Sequence, residues 1–181
     1  MDKNFKPRTL DEIKAIEPKG FERAFKNPLP IDDGSLKQNI ERLLPKVKNL
    51  DRNSSMAFRK QHAIGQKWTV ATISEKAQKQ LGAKTKDVWL SDDTLIKMII
   101  HHPEQADLPL FLSVQDILDN AITVIQEDDY RASFFKRGDG IYQATLKATQ
   151  DRQEIYLLTV FKMSEKEFEK TKKRKANKII K

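Results

Sequence analysis

RASFFKRGDGIYQATLKATQDRQEIYLLTVFKM, residues 131–163, decides how this chain folds. Its apolar residues tend to recur at every second position, the period of a strand with one buried face. Arg131–Arg137, Ile141–Thr149 and Glu154–Met163 each read as a strand. Gly138-Asp139-Gly140 is a hairpin signal between the first two, and Gln150–Gln153 makes a polar turn before the third. Loops this short make successive strands antiparallel neighbours. On the middle strand Tyr142, Ala144, Leu146 and Ala148 share one face, expected to lie against helices. Gln143, Thr145 and Lys147 share the other, expected to face solvent or a groove.

Upstream of this meander the helical period dominates. Trp68–Ile73 (WTVATI) is β-branched and aromatic and reads as a short strand. Ser74 then caps a helix through Ala77 and Leu81 that Gly82 stops. Val88–Leu90 is a short extended piece leading to a helix at Thr94–His102, capped by Ser91 or Asp93 and ended by Pro103. Leu110–Leu112 bridges to Ser113, the cap of a longer helix over Val114–Gln126 with Ile117, Leu118, Ala121, Ile122 and Ile125 on its stripe. The expected fold is α+β: helices packed on one face of a three- to four-stranded antiparallel sheet, with a mostly helical N-terminal arm.

Residues 1–66 read as that arm and a linker. Leu10, Ile13 and Ile16 suit a short helix with Thr9 and Glu12 as a capping box, and Phe21 and Phe25 stand four apart. Leu36–Leu50 reads as an amphipathic helix capped by Ser35 and kinked or divided at Pro45, and Asp51–Gln66 as the linker. Residues 67–164 form the α+β domain. Ser164 caps a charged helix, Glu165–Lys175, which runs into a basic tail, so residues 165–181 form a third segment.

Net charge is +8, and its distribution is uneven. Residues 1–66 carry +5, residues 67–163 carry −2, and residues 164–181 carry +5. Basic ends around a near-neutral middle suit an anionic partner, nucleic acid first; solvated lysine-rich tails fit the same charges. The absence of cysteine excludes disulfides and thiolate metal sites and suits a reducing compartment. No apolar run approaches the roughly 20 residues that span a bilayer, and MDKNFKPRTLDE lacks a secretory core, so a cytoplasmic protein without membrane contact is expected.

Chemistry concentrates on TLIKMIIHHPE, residues 94–104. Lys97 and His101 are four apart and share a helix face. Together they could hold a phosphate and move a proton, the functions needed when an RNA 2′-hydroxyl attacks its own phosphate. A surface lysine and a histidine pair closing the helix fit the same spacing. His101 and His102 are adjacent and point apart, and no HExxH or paired-carboxylate spacing is present, so no metal is expected. The six glycines form no Walker or Rossmann pattern, and no cofactor is expected. On the strands, Arg131, Arg137, Thr145, Lys147, Thr159 and Lys162 are the polar candidates, and Lys172, Lys173 and Arg174 lie near the basic tail.

With these residues laid out, Lys67–Ser164 resembles the barnase–EndoU–colicin–RelE superfamily of metal-independent nucleases, in the form found as phage domains accompanying Mu-type head-morphogenesis proteins. The resemblance rests on ISEKAQKQLGAKTKDVWLS, on TLIKMIIHHPE with its K-x-x-x-H pair, on the second helix, and on the meander ending in EIYLLTVFKMS. It covers about the last two-thirds of the chain. It implies an endoribonuclease, toxin-like in kind, that cleaves RNA such as tRNA by 2′-hydroxyl attack. Lys97 would bind phosphate and His101 would act as acid or base, with Thr159 and Arg131 completing the catalytic set. Arg137, Thr145, Lys147, Lys162, Lys172, Lys173 and Arg174 would contact the nucleic acid. The three strand cores contain no internal Glu or Asp, so a carboxylate base as in the barnase branch has no counterpart there, and a Lys/His scheme is favoured. RNA is the implied partner, with phage head or other virion proteins, or an inhibitor protein, as further candidates; the location would be host cytoplasm or virion. The alternative is a non-catalytic virion-associated or nucleic-acid-binding protein of the same fold. A DNA-binding regulator finds no helix-turn-helix or ribbon signature.

Overall fold

The computed structural model describes residues 28–31, 34–47 and 50–181. The short helix around Leu10–Ile16 and the Phe21/Phe25 pair lie outside the described residues. In chain order the elements are β1 (Leu29–Pro30), α1 (Ser35–Leu43), α2 (Arg52–His62), β2 (Lys67–Thr72), α3 (Glu75–Leu81), β3 (Asp87–Ser91) and α4 (Asp92–His101). There follow α5 (Leu108–Leu112), α6 (Val114–Asp119), β4 (Thr123–Asp128), β5 (Arg131–Arg137), β6 (Ile141–Ala148), β7 (Ile155–Met163) and α7 (Glu165–Arg174).

The class is α+β, but the expected three- to four-stranded antiparallel sheet is corrected to seven strands of mixed direction, in the order β1-β2-β3-β7-β6-β5-β4. β4 through β7 form the antiparallel meander, and β2 pairs antiparallel with β3. The β1–β2 and β3–β7 pairs are parallel. The β3–β7 pairing joins Val88 to Ile155 and Trp89 to Tyr156, partners far apart in sequence that no local pattern announces.

β4 replaces the second half of the helix expected over Val114–Gln126. Val124 and Ile125 are both buried, one against each face of the sheet, so alternation is hidden. The spacing Ile117, Ala121, Ile125 imitates a helix by coincidence. Likewise Asp51–Gln66, expected as a linker, carries α2, with Asp51 accepting the Ser54 amide at 2.7 Å. Leu110–Leu112 is helical too, capped by Asp107.

Other local signals match their readings. Ser74 caps α3, and Gly82 closes it in the left-handed region at φ 60. Ser91 accepts the Thr94 amide at the start of α4, with Asp92 and Asp93 in its first turn. Ser164 and Glu167 form a capping box on α7. α1 ends at Leu43, where a 3-10 turn with Pro45 follows. The expected cap at Ser35 is corrected: Gly34 at φ 87 is the N-cap of α1, Ser35 is its first residue, and the Ser35 hydroxyl accepts the Trp68 indole N–H at 2.7 Å.

One face of the sheet holds the main core. Ala132, Phe134, Ala144, Leu146, Ile155, Leu157 and Val160 meet Leu36, Ile40, Leu43, Trp68, Leu95, Ile99, Phe111 and Ile117 there. Residues from α1 to Ala63 therefore share one core with the sheet. Helices on one face only is a second correction: α7 lies on the opposite side. Phe168 of α7 is fully buried against Ile125, Phe135, Ile141 and Met163, which alternate with the main-core residues along their strands. The tail after α7 is also part of the fold. Ile179 bridges to Ile125, and the Ile180 amide donates to the Val124 carbonyl at 2.9 Å, covering the outer edge of β4. No helix among the described residues is long and apolar enough to cross a membrane.

Candidate functional site: the helix-poor face of the sheet

The face opposite the main core is built from cross-strand rows. One row runs Arg131, Lys147, Tyr156, Trp89 and Thr69 across β5, β6, β7, β3 and β2. The next runs Ser133, Thr145 and Thr159, and the next Phe135, Gln143 and Phe161. α7 covers the Phe135 end. Among the described residues no helix lies over the Tyr156–Lys147 end, and Trp89, Tyr156, Leu158 and Thr159 stay partly exposed.

Thr159 reaches this face because of a bulge. Pairing steps from Thr145–Thr159 to Leu146–Leu157, so Leu158 is an extra residue on β7. Strict alternation would set Thr159 beside Ile155 and Leu157 in the main core; the bulge turns it to the open side.

α4 runs alongside β7. Thr94 lines a cavity of about 670 Å³ with Lys147, Tyr156 and Leu158, and the His102 ring stacks on Phe161 at 5.8 Å. At about 100° per residue, Leu95, Ile96, Met98 and Ile99 define the buried side of α4, and Lys97 points directly away from it. Around the helix axis His101 falls within about 20° of Thr94, about two turns further along α4. Both Lys97 and His101 are exposed, and neither has a hydrogen bond or ion pair among the described residues. No such bond links them to Thr159 or Arg131 either.

The other sequence candidates separate into accessible and engaged groups. Lys147 is exposed and unpaired among the described residues. Arg131 donates to Asp128 at 2.9 Å. Arg137 pairs with Glu165 of α7. Thr145 is 6% exposed and shares a hydrogen bond of 2.8 Å with Ser133. Lys162 binds Asp139 at 2.7 Å on the helix-covered side. Lys172 pairs with Glu169, whereas Lys173 and Arg174 are exposed at the end of α7.

Four residues escaped the sequence reading. Glu127 on β4 accepts the Ser133 hydroxyl at 3.0 Å and both-oxygen contacts from Lys175 at 2.6 Å. It supplies a carboxylate on this face, hidden because Thr123–Gln126 of β4 was read as the end of a helix and Glu127 fell in no strand. Lys67, Trp89 and Tyr156 form a second cluster. The Lys67 ammonium lies 3.9 Å from the Trp89 ring centroid and 3.7 Å from Glu154. The Tyr156 hydroxyl donates to Glu154 at 2.9 Å. Burial, helped by that carboxylate acceptor, raises the Tyr156 pKa well above the ordinary phenol value, so it stays a donor. The available signal was the alternation of Trp89 and Tyr156 with core residues on their strands.

The turn that opens α4 is fixed by Asp92. Its carboxylate accepts the amides of Ile64 at 2.7 Å and Gln66 at 3.2 Å. Burial raises its pKa, and the two amides offset part of that rise. Asp93 beside it takes a two-pronged bond from Arg59 of α2, at 3.0 and 2.7 Å. Among the described residues, no three His, Asp or Glu side chains converge as metal ligands would.

No protein-family model matches the chain, and neither the curated proteins nor the solved structures yield a match.

Proposed function

We propose that the chain is a metal-independent endoribonuclease acting on the helix-poor face of its sheet, in the manner of the barnase–EndoU–colicin–RelE superfamily that its sequence resembles. The observation that carries this reading is the edge where α4 meets β7. His101 lies on the Thr94 side of α4, the open face presents Thr159 and Lys147, and neither His101 nor Lys147 has a hydrogen bond or ion pair among the described residues. A histidine beside cationic and hydroxyl groups on an accessible surface has the parts that RNA transesterification needs.

In this reaction the 2′-hydroxyl oxygen bonds to the adjacent phosphorus while the bond to the 5′-oxygen breaks. The 2′ proton goes to a base and the leaving 5′-oxygen takes a proton from an acid, leaving a 2′,3′-cyclic phosphate. His101 takes one of these proton transfers. Lys147 and Thr159 face the phosphate, and Lys97, outermost on α4, grips the strand further out. Arg131 extends the cationic row while held by Asp128.

The test is incubation with total RNA in EDTA, reading fragment ends. Discrete fragments ending in cyclic phosphate are expected, and His101→Ala should lower the rate by about 100-fold or more. Lys97→Ala should slow cleavage less, mainly through KM. An unchanged rate in His101→Ala overturns the assignment.

A further inference from the structure

A second cavity, of about 780 Å³, opens between α2 and the start of α4. It meets the cavity beside Lys147 at Ser91 and Tyr156, which line both. Its size is that of ordinary ligand sites, ample for a nucleotide. Its apolar lining comes from Met56, Ala57, Ala63 and the flank of Tyr156, and Met56 is 58% exposed at the rim. Arg59 and Lys67 on its wall are neutralised by Asp93 and Glu154. Lys60 on its rim is exposed and has no ion pair among the described residues, as is true of Lys147 on the far side of Tyr156.

An aromatic, apolar floor between two ammonium groups that have no ion pair among the described residues is the arrangement that receives an unpaired base with a phosphate on each side. A double helix keeps its bases stacked and out of reach of such a floor. We infer that this cavity holds a base of single-stranded RNA next to the cleaved bond, with the ring against Tyr156 and the flanking phosphates at Lys60 and Lys147. The inference rests on the ribonuclease reading for the identity of the strand, and it sets the substrate class: unpaired RNA rather than duplex.

The full chain carrying His101→Ala, which is expected to cleave at least about 100-fold more slowly, is titrated with a short single-stranded RNA bearing 2-aminopurine at one position, and with the same sequence as a duplex. Single-stranded RNA should bind at least about tenfold tighter than duplex, with the fluorophore quenched at one position of the series. Lys60→Glu, on an exposed position that leaves the core untouched, and Tyr156→Leu should each weaken single-strand binding by about tenfold, the scale of one lost stacking or phosphate contact. Circular dichroism checks that both variants are folded. Equal affinity for single strand and duplex, or unchanged affinity and quenching in folded Lys60→Glu and Tyr156→Leu, overturns the inference. The ribonuclease reading is judged separately, by cyclic-phosphate ends from the unsubstituted chain. Cleavage with unchanged KM in both cavity variants sinks the cavity alone, and loss of binding in the variants of a chain that never cleaves sinks cleavage alone.

Discussion

The two faces of the sheet are built from the same strands and differ in what covers them. The main-core face is closed by α1 and α3 through α6 and is almost wholly apolar, with Trp68, Leu95, Phe111 and Ile117 at or near zero exposure. The other face has its own closed apolar cluster where α7 sits on it, at Phe135, Ile141, Met163 and Phe168. Beyond α7 it turns polar, through Ser133 and Thr145, and then aromatic and cationic, through Lys147, Tyr156 and Trp89. The lesson is that one sheet can hold its stability on one side and, among the described residues, leave part of the other uncovered. Substitutions on the two faces should then separate stability from activity.

The largest stability effect belongs to the closed face. Trp68→Ala removes a fully buried indole and its bond to Ser35, and should cost about 3–5 kcal/mol in urea unfolding. A loss below about 1 kcal/mol there would mean that the helices pack on the sheet far more loosely than described.

Asp92 comes next, because it joins the closed core to the turn that starts α4. Asp92→Ala leaves the Ile64 and Gln66 amides without their acceptor and should cost about 1–3 kcal/mol. Asp92→Asn keeps an accepting oxygen and removes a buried charge. Because the folded pKa is raised, the native state binds the proton more tightly than the unfolded chain. The aspartate's contribution is therefore fully present below the unfolded carboxylate pKa and is lost as pH rises through the folded value. The Asn variant, lacking this titration, should gain on the parent as pH climbs through the carboxylate range. Parallel unfolding curves at every pH would remove Asp92 as a titrating element.

The α7 side should respond more weakly. Lys175→Ala strips Glu127 of its ammonium partner and should cost on the order of 1–2 kcal/mol, discounted because Lys175 is about one-quarter exposed. Adding Glu127→Gln should recover most of that loss, since no uncompensated charge remains. Additive losses in the double variant would show the pair to be uncoupled.

Smallest in stability is Lys147→Ala on the open face, an exposed side chain with no ion pair among the described residues. Its unfolding curve should overlay the parent's, while RNA affinity falls and the salt slope flattens by about one ion. An unchanged salt slope would take Lys147 out of the phosphate path and narrow the contrast between the faces.

Local chemistry made much of this molecule legible. The Ser74, Ser91 and Ser164 caps, the Gly82 stop, the Gly138–Gly140 hairpin and the strands Arg131–Arg137 and Ile141–Ala148 each follow from a few neighbouring residues. So did the placing of Tyr142, Ala144, Leu146 and Ala148 toward the helices, because alternation is a property of one strand. The site was only half visible. Lys97 and His101 could be placed on one helix, but which of them borders the sheet depends on how α4 lies against β7.

The sequence by itself determined the three strands β5, β6 and β7, most of the helix caps and the uneven charge, the strands and caps because each depends on backbone preferences and spacings within about ten residues. Tertiary structure alone decided the parallel pairing of Trp89 with Tyr156, the side on which α7 docks, the carboxylate Glu127 among the strands, and the bulge that turns Thr159 outward. Those features depend on residues distant in sequence finding each other, and on burial from both sides of β4 erasing the alternation by which a strand is read.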